Sequence, residues 1–213
     1  MSTQEIVLFS TSMLAIINPL AAAVLFVSLA GKFDKSVQRR MANQSALAVL
    51  TLLLVFAWLG NSILGLMGLT TPMLQAAGGL ILLTYGLRMV SVEDVKLTQA
   101  EKASAGQVTE EHWKALAVVP LAIPGTVGAG AITTVIIQAS TFNTARDLLV
   151  ISGVSLGMSL IMWLTFHSAG PIARRLGPIG TNIITRVMGI LVTATAFGLL
   201  GKGVGGLLPG LLK

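Results

Sequence analysis

Six long apolar stretches constrain the fold of this chain more than any other feature of its sequence. Each holds roughly 20 residues, the length that an α-helix needs to cross the hydrocarbon core of a bilayer. Of the 213 residues, 54% are hydrophobic and 10% are charged, a composition typical of polytopic membrane proteins. We therefore predict an all-α integral membrane protein with six transmembrane helices. The predicted spans are residues 6–30, 46–66, 72–90, 115–139, 148–166 and 183–200.

The basic residues predict how these helices are oriented. The net charge is +6, and eleven of the 14 lysines and arginines fall in the first, third and fifth connections or at adjacent helix ends. Lysine and arginine accumulate on the cytoplasmic side of membrane proteins, so this distribution indicates orientation rather than a nucleic-acid-binding surface. We predict that both termini lie outside. The longest charged connection, residues 91–114, is then a cytoplasmic loop.

Two of the predicted spans contain residues that interrupt a helix. The fourth contains Pro120 and Pro124, and the first contains Asn18 and Pro19 near its middle. Proline has no N–H, so the carbonyl four residues earlier loses its helical partner, as at Ala15. Interrupted helices at bilayer depth are tolerated where they line a cavity, and secondary transporters bind substrate at such places. The alternative interpretation is a simple kink without function.

Matched positions in the two halves of the chain favour an inverted repeat. Three spans in each half run in opposite senses, which is the requirement for such a repeat. Two of the matched pairs are separated by 105 residues and the third by 110. Chance similarity in an apolar sequence is the alternative. The predicted units are residues 1–90, the loop 91–114, and residues 115–213. The pairs are Pro19 with Pro124, Trp58 with Trp163, and Gly79 with Gly189.

The distribution of titratable residues argues against several kinds of chemistry. All eight acidic residues lie outside the predicted spans or at their ends, so no carboxylate is placed for a proton relay at the membrane centre. The chain has no cysteine, and its histidines, aspartates and glutamates form no metal-ligand pattern. We predict no metal and no cofactor.

Residues 153–157 match the G-x-S-x-G pattern of serine hydrolases. His167 follows Ser155 by twelve residues on the same predicted helix, which separates them by roughly 18 Å and prevents a catalytic dyad. Gly153 and Gly157 also form a small-xxx-small face, which favours close helix packing. We prefer the packing interpretation and predict that the protein is not an enzyme.

Gln75 and Arg186 lie near the starts of the third and sixth predicted spans. They could serve as gating residues on opposite faces of the membrane. The simpler interpretation is a hydrogen bond at a helix end for Gln75 and an interfacial position for Arg186.

Four segments of the chain resemble the MarC family of integral membrane proteins, whose best understood members are SnatA-type small neutral amino acid transporters. The resemblance covers nearly the whole chain, and the Asn-Pro of the first span and the PLAIP run of the fourth are its most specific parts. The chain departs from the family pattern at Ala21, Gly125 and Ala129. The segments are INPLAAAVLFVSLAG at 17–31, AGGLILLTYGLRMV at 77–90, VVPLAIPGTVGAGAITTVI at 118–136 and NIITRVMGILVTATAFGLL at 182–200.

This resemblance implies six helices in two inverted three-helix repeats, with the first and fourth helices discontinuous, in a prokaryotic cytoplasmic (inner) membrane. It also implies transport of alanine or glycine-like substrates. The alternatives are an exporter or channel for another small solute and a drug efflux protein, although only 5% of residues are aromatic. The partners would be the substrate and membrane lipid, and no oligomeric state is predicted.

We expect the substrate to bind between the two interrupted helices. Half-helices that restart near Leu20 and Gly125 would direct backbone N–H groups at a carboxylate. The carbonyls of Ala15 and Pro120 would accept from the ammonium group, and Asn18 and Thr126 would complete the polar set. The predicted binding residues are Ala15, Asn18, Pro19, Leu20, Ala21, Pro120, Ile123, Pro124, Gly125, Thr126 and Gly128.

Overall fold

In the computed structural model, which describes residues 1–31, 33–91, 110–123 and 126–208, every regular element is helical. Eight α-helices and one π-helical segment follow one another along these residues. They are α1 (Thr3–Ile17), α2 (Pro19–Ala30), α3 (Lys35–Leu66), α4 (Thr71–Ser91), α5 (Glu110–Leu116), the π-helical segment (Ala117–Ala122), α6 (Ala129–Thr141), α7 (Ala145–His167) and α8 (Ala169–Leu207).

Within the described residues, five stretches of helix are long and apolar enough to cross a membrane, which confirms a helical multi-pass membrane protein. The fourth predicted span is different, because residues 115–139 are divided among the end of α5, the π-helical segment and the 13-residue α6. The first predicted span is divided at Asn18 into α1 and α2. The five stretches are Thr3–Val27, Lys35–Leu66, Thr71–Ser91, Ala145–His167 and Asn182–Leu207.

Two helices begin earlier than the sequence predicted. The second span was expected from residue 46, but α3 begins at Lys35, so Arg39 and Arg40 lie on its first turns and not in a loop. Residues 35–45 are mostly polar, yet lysine, glutamine, arginine, methionine and alanine are good helix formers, so the helix extends beyond its apolar part. The sixth span was expected from residue 183, and the apolar stretch does begin at Asn182. The helix that contains it, α8, already begins at Ala169 and is interrupted at Gly177, whose φ is +59°.

Helices α3 and α7 pack antiparallel and are joined by hydrogen bonds in both directions. The indole Nε1 of Trp58 on α3 donates to the hydroxyl of Ser152 on α7 at 3.0 Å. The indole Nε1 of Trp163 on α7 donates to Oδ1 of Asn43 on α3 at 2.8 Å. Between them, the buried hydroxyl of Ser159 donates to the carbonyl of Ala46 at 2.7 Å. The two tryptophans that the sequence paired therefore perform the same task on opposite helices.

Helix α4 packs along α8 at positions where only glycine fits. A Cβ on Gly86 would lie 2.9 Å from the backbone nitrogen of Thr193, and one on Gly79 would lie 2.8 Å from that of Leu200. Such contacts leave no room for a side chain, so the two backbones approach closely. Helices from the two predicted halves of the chain thus pack directly against each other.

The predicted packing face at Gly153 and Gly157 is wrong for the described part of the chain. Apart from the neighbouring backbone of α7 itself, a Cβ on either glycine would meet no described atom within 4 Å. Helix α7 instead buries a face at i, i+4, i+7 and i+11, and Gly153 lies about 200° from Ile151 on the opposite side. Ser155 is buried and donates to the carbonyl of Ile151 at 2.9 Å. The buried face is Ile151, Ser155, Met158 and Met162.

Candidate functional site

The first interruption is a single residue, Asn18, between α1 and α2. Its backbone is left-handed, with φ 46° and ψ 76°, and no other non-glycine residue among those described has a positive φ. Asparagine accepts this conformation more readily than most residues. Its N–H donates to the carbonyl of Leu14 at 3.0 Å, and its carbonyl accepts from Ala22 at 3.0 Å. Pro19 follows at the first position of α2, where a proline needs no N–H partner.

The side chain of Asn18 is buried, with 2% of its surface exposed. Its Oδ1 accepts from the backbone N–H of Ala21 at 3.3 Å and so caps α2. Its Nδ2 has no hydrogen-bond partner among the described residues. An amide donor left unsatisfied in the interior costs about 1–3 kcal/mol. This group is therefore available to a ligand or a water molecule at the interruption.

The second interruption begins in the π-helical segment, Ala117–Ala122. Val119 has an extended conformation within it, and Ile123 is also extended. The N–H of Ile123 bonds to the carbonyl of Val118 at 2.8 Å, five residues earlier. The hydroxyl of buried Thr126 donates to the carbonyl of Leu121 at 2.9 Å, so it supplies a partner for interrupted backbone. π-helical turns are rare and are found frequently at functional sites.

The second half-helix begins later than the sequence predicted. It was expected to restart near Gly125, but α6 begins at Ala129, with Gly128 as its N-cap. Glycine carries no side chain to satisfy the first N–H groups of the helix, and no side-chain cap is present. The N-terminus of α6 therefore presents backbone donors and the positive end of the helix dipole.

The two interruptions lie beside each other. A Cβ on Gly130, two residues after Gly128, would lie 3.6 Å from Cγ2 of Ile16, two residues before Asn18. It would also lie 2.9 Å from Cγ of Leu82. The start of α6 can therefore pack this closely against α1 and α4 only because residue 130 has no side chain. Within the described parts of the two interruptions, the buried polar side chains are those of Asn18 and Thr126. The region is thus polar but uncharged.

The predicted binding residues fall into four groups by position. Asn18 and Thr126 are buried. Ala15, Pro19, Leu20, Ala21, Ile123 and Gly128 are half-buried around the interruptions. Pro120 lies in the π-helical segment. Pro124 and Gly125 lie outside the described residues, as does most of the predicted loop 91–114, although its last part belongs to α5.

Ser45 is a contributor that the sequence analysis did not identify. It is fully buried on α3, and its hydroxyl donates to the carbonyl of Ala117 at 2.8 Å, at the start of the π-helical segment. A serine directly before the second predicted span was the available signal, but its partner is 72 residues away. Gln75 is half-buried on α4 and Arg186 is exposed on α8, and their gating role stays a prediction.

Comparisons with known proteins place the chain among integral membrane proteins. Residues 3–208 match the model of the MarC family integral membrane proteins. The chain is 31% identical to a UPF0056 membrane protein of Methanocaldococcus jannaschii, with 98% of this chain and 100% of the relative covered. It is 31% identical to the UPF0056 inner membrane protein MarC of Citrobacter koseri, with 90% of each chain covered. No solved structure matches it.

Proposed function

The chain belongs to the MarC family of integral membrane proteins, and from that premise we propose that it is a secondary transporter of small neutral amino acids. The substrate binds between the interruption at Asn18 and the one that ends at Gly128. The protein works in a prokaryotic inner membrane, the membrane named for its relative in Citrobacter koseri.

The buried, unpartnered Nδ2 of Asn18 is the observation that supports this proposal most directly. Buried donors are almost always satisfied, so an exception at an interrupted membrane helix suggests a ligand. An amino acid carboxylate would accept from this amide. A hydrogen bond to a charged group contributes about 1.5–3 kcal/mol, which is more than a neutral one.

The second interruption supplies complementary groups. The uncapped N-terminus of α6 favours the same carboxylate by about 0.3–1 kcal/mol, or more where partly buried. The carbonyls of Ala15 and Pro120 are four residues before Pro19 and Pro124, which have no N–H, so they can accept from the substrate ammonium. A zwitterion is suited to a site with dipoles of both signs and no charged side chain.

The small residues around the interruptions favour a small side chain on the substrate. Alanines occupy positions 21, 22 and 23, directly after Pro19 and Leu20. Gly128 and Gly130 flank the start of α6 on the other side. Each methylene of a larger substrate would need space that these closely packed segments lack. Alanine and glycine are therefore the expected substrates.

The proposal includes two inverted three-helix halves and termini on the outer face. The reciprocal bonds of Trp58 and Trp163 across antiparallel α3 and α7 support the inverted repeat. The ion pair of Asp147, at the start of α7, with the ammonium group of Met1 supports a shared face for the starts of α1 and α7. The positive-inside rule assigns that face to the outside.

Uptake into proteoliposomes tests the function. The purified protein should exchange internal unlabelled alanine for external labelled alanine or glycine, and it should transport labelled phenylalanine at least tenfold more slowly. Empty liposomes and liposomes with an unrelated membrane protein provide the controls. Equal fluxes of alanine and phenylalanine without exchange would identify a passive channel, and no flux of any amino acid would reject the proposal.

A further inference from the structure

A cleft of about 820 Å³ lies at the opposite end of α2 from Asn18. It is enclosed by the end of α2, the start of α3, and the junction between α7 and α8. Phe26 at its base follows Asn18 by eight residues, or about 12 Å along a helix. The cleft is therefore separate from the interruptions and lies toward a membrane surface.

Three basic side chains line this cleft: Lys35, Arg39 and Arg174. Lys35 and Arg39 are four residues apart on α3 and so share a face, while Arg174 reaches the cleft from α8. None of the three forms an ion pair with another residue in the ranges 1–31, 33–91, 110–123 and 126–208. Like charges gathered around one cavity repel, and an anion between them would relieve that repulsion.

Two polar neighbours of these cations each have one nitrogen engaged outside the cleft. Gln38 lines the cleft, but its Nε2 donates to the carbonyl of Phe33 at 2.8 Å. The Nδ1 of His167 contacts the carbonyl of Trp163 at 2.9 Å. The two guanidinium groups and the ammonium group thus supply the positive charge of the cleft. Guanidinium groups bind phosphate with two parallel hydrogen bonds.

The remaining wall of the cleft is apolar. Phe26 and Phe166 stack across α2 and α7 with their ring centroids 5.2 Å apart, and both are buried. Val27 and Pro171 extend this surface. A free phosphate ion would use the cations alone, whereas a molecule with a phosphate and hydrocarbon would use both parts. This combination of charge and apolar surface is the chemistry of an anionic phospholipid.

We propose that this cleft is a specific binding site for an anionic phospholipid, whose phosphate binds Arg39 and Arg174 while its hydrocarbon lies toward Phe26. Lys35 adds the third positive charge. The site does not depend on the proposed transport function, because it lies outside the interruptions. In the proposed orientation, the cleft faces the cytoplasmic leaflet, where basic residues meet anionic headgroups.

Thermal unfolding of the full chain in neutral detergent tests the site. Added phosphatidylglycerol should raise the midpoint by about 2–4 °C, while phosphatidylcholine should not. The double variant Arg39→Gln/Arg174→Gln should keep the basal midpoint and lose the increase, because both side chains are exposed. The double variant Arg88→Gln/Arg186→Gln removes the same amount of charge from exposed positions outside the cleft. This control should keep the increase in midpoint caused by phosphatidylglycerol.

Three outcomes would overturn the proposal. The first is an equal response of the wild-type protein to the two lipids. The second is a loss of the response in the Arg88→Gln/Arg186→Gln control, which would indicate a general charge effect. The third is the same increase with glycerol phosphate or inorganic phosphate, which would identify a free anion. If the cleft variant does not fold, the test is which lipid the wild-type protein retains when it is purified from mixed micelles. Retention without preference for phosphatidylglycerol would reject the site.

Discussion

Gly86 and Gly189 face each other so closely that a Cβ on either residue would lie 3.0 Å from the carbonyl oxygen of the other. This reciprocal contact joins α4 to α8, and each helix lies in a different predicted half of the chain. Lipid hydrocarbon is as apolar as leucine, so transmembrane helices gain stability from close van der Waals contact rather than from burial alone. The pair therefore identifies a point where stability depends on the absence of a side chain.

Substitution of Gly86 by valine should destabilise the protein. The new side chain would displace Thr193 and separate α4 from α8, at a cost of about 1–3 kcal/mol. Chemical unfolding in detergent measures the change. Gly198→Val is the matched control and should change the stability far less, because a Cβ there would meet no described atom within 4 Å apart from the neighbouring backbone of α8. Equal losses would mean that the contact contributes nothing specific.

Replacing Asn18 by glycine should separate folding from binding. Glycine accepts the left-handed backbone at this position, and the substitution also removes the unsatisfied amide. The variant should still fold. Its apparent affinity for alanine, measured from the thermal stabilisation that alanine causes, should fall at least tenfold. Asn182→Ala, at an exposed asparagine of α8, should keep the alanine response. Full stabilisation of Asn18→Gly by alanine would remove Asn18 from the site.

Replacing Pro19 by alanine should stabilise the fold and impair binding. Alanine restores an N–H that can bond to the carbonyl of Ala15 and continue the helix through Asn18. The thermal midpoint without substrate should therefore stay the same or rise, whereas the increase caused by alanine should disappear. Pro124→Ala should behave alike if the halves are pseudo-symmetric. If the variant keeps the full alanine response, the interruption is a simple kink with no role in binding.

The hydrogen bond between Trp58 and Ser152 should contribute about 0.5–1.5 kcal/mol to stability. Trp58→Phe and Ser152→Ala each remove it, so the two losses should not add in the double variant. A double-mutant cycle of unfolding free energies measures this coupling. Trp58→Phe combined with Asn43→Ala, whose side chain accepts from Trp163 instead, should be additive. Additivity in both cycles would show that the bond is energetically neutral.

Cysteine labelling tests the proposed orientation, because the native chain has no cysteine. In intact cells an impermeant thiol reagent should label Ser2→Cys and Thr70→Cys from outside. Lys35→Cys should react only after the membrane is opened. Labelling of Lys35→Cys in intact cells would invert the assignment of faces and would move the basic cleft to the outside.

The sequence predicted the features that depend on local chemistry. Hydropathy located five of the six predicted spans among the described residues, and Pro19, Pro120 and Pro124 predicted the two interruptions, because a missing N–H acts on the carbonyl four residues earlier. The start of α3 at Lys35 was missed because a hydropathy window measures the membrane and not the helix. The bond from Ser45 to Ala117 and the presence of Arg39 and Arg174 in one cleft depend on packing between distant segments, which no local pattern reveals.

The π-helical segment Ala117–Ala122 has a mechanical consequence. A π-turn contains one residue more than an α-turn, so the segment holds one residue more than the same turn of α-helix would. Conversion to α-helical bonding would advance the backbone by about 1.5 Å and turn it by about 100° relative to α5. Ser45 holds the first carbonyl of the segment, and Thr126 holds Leu121 near its end. Loss of these two hydrogen bonds would therefore allow a one-residue shift in register next to the N-terminus of α6.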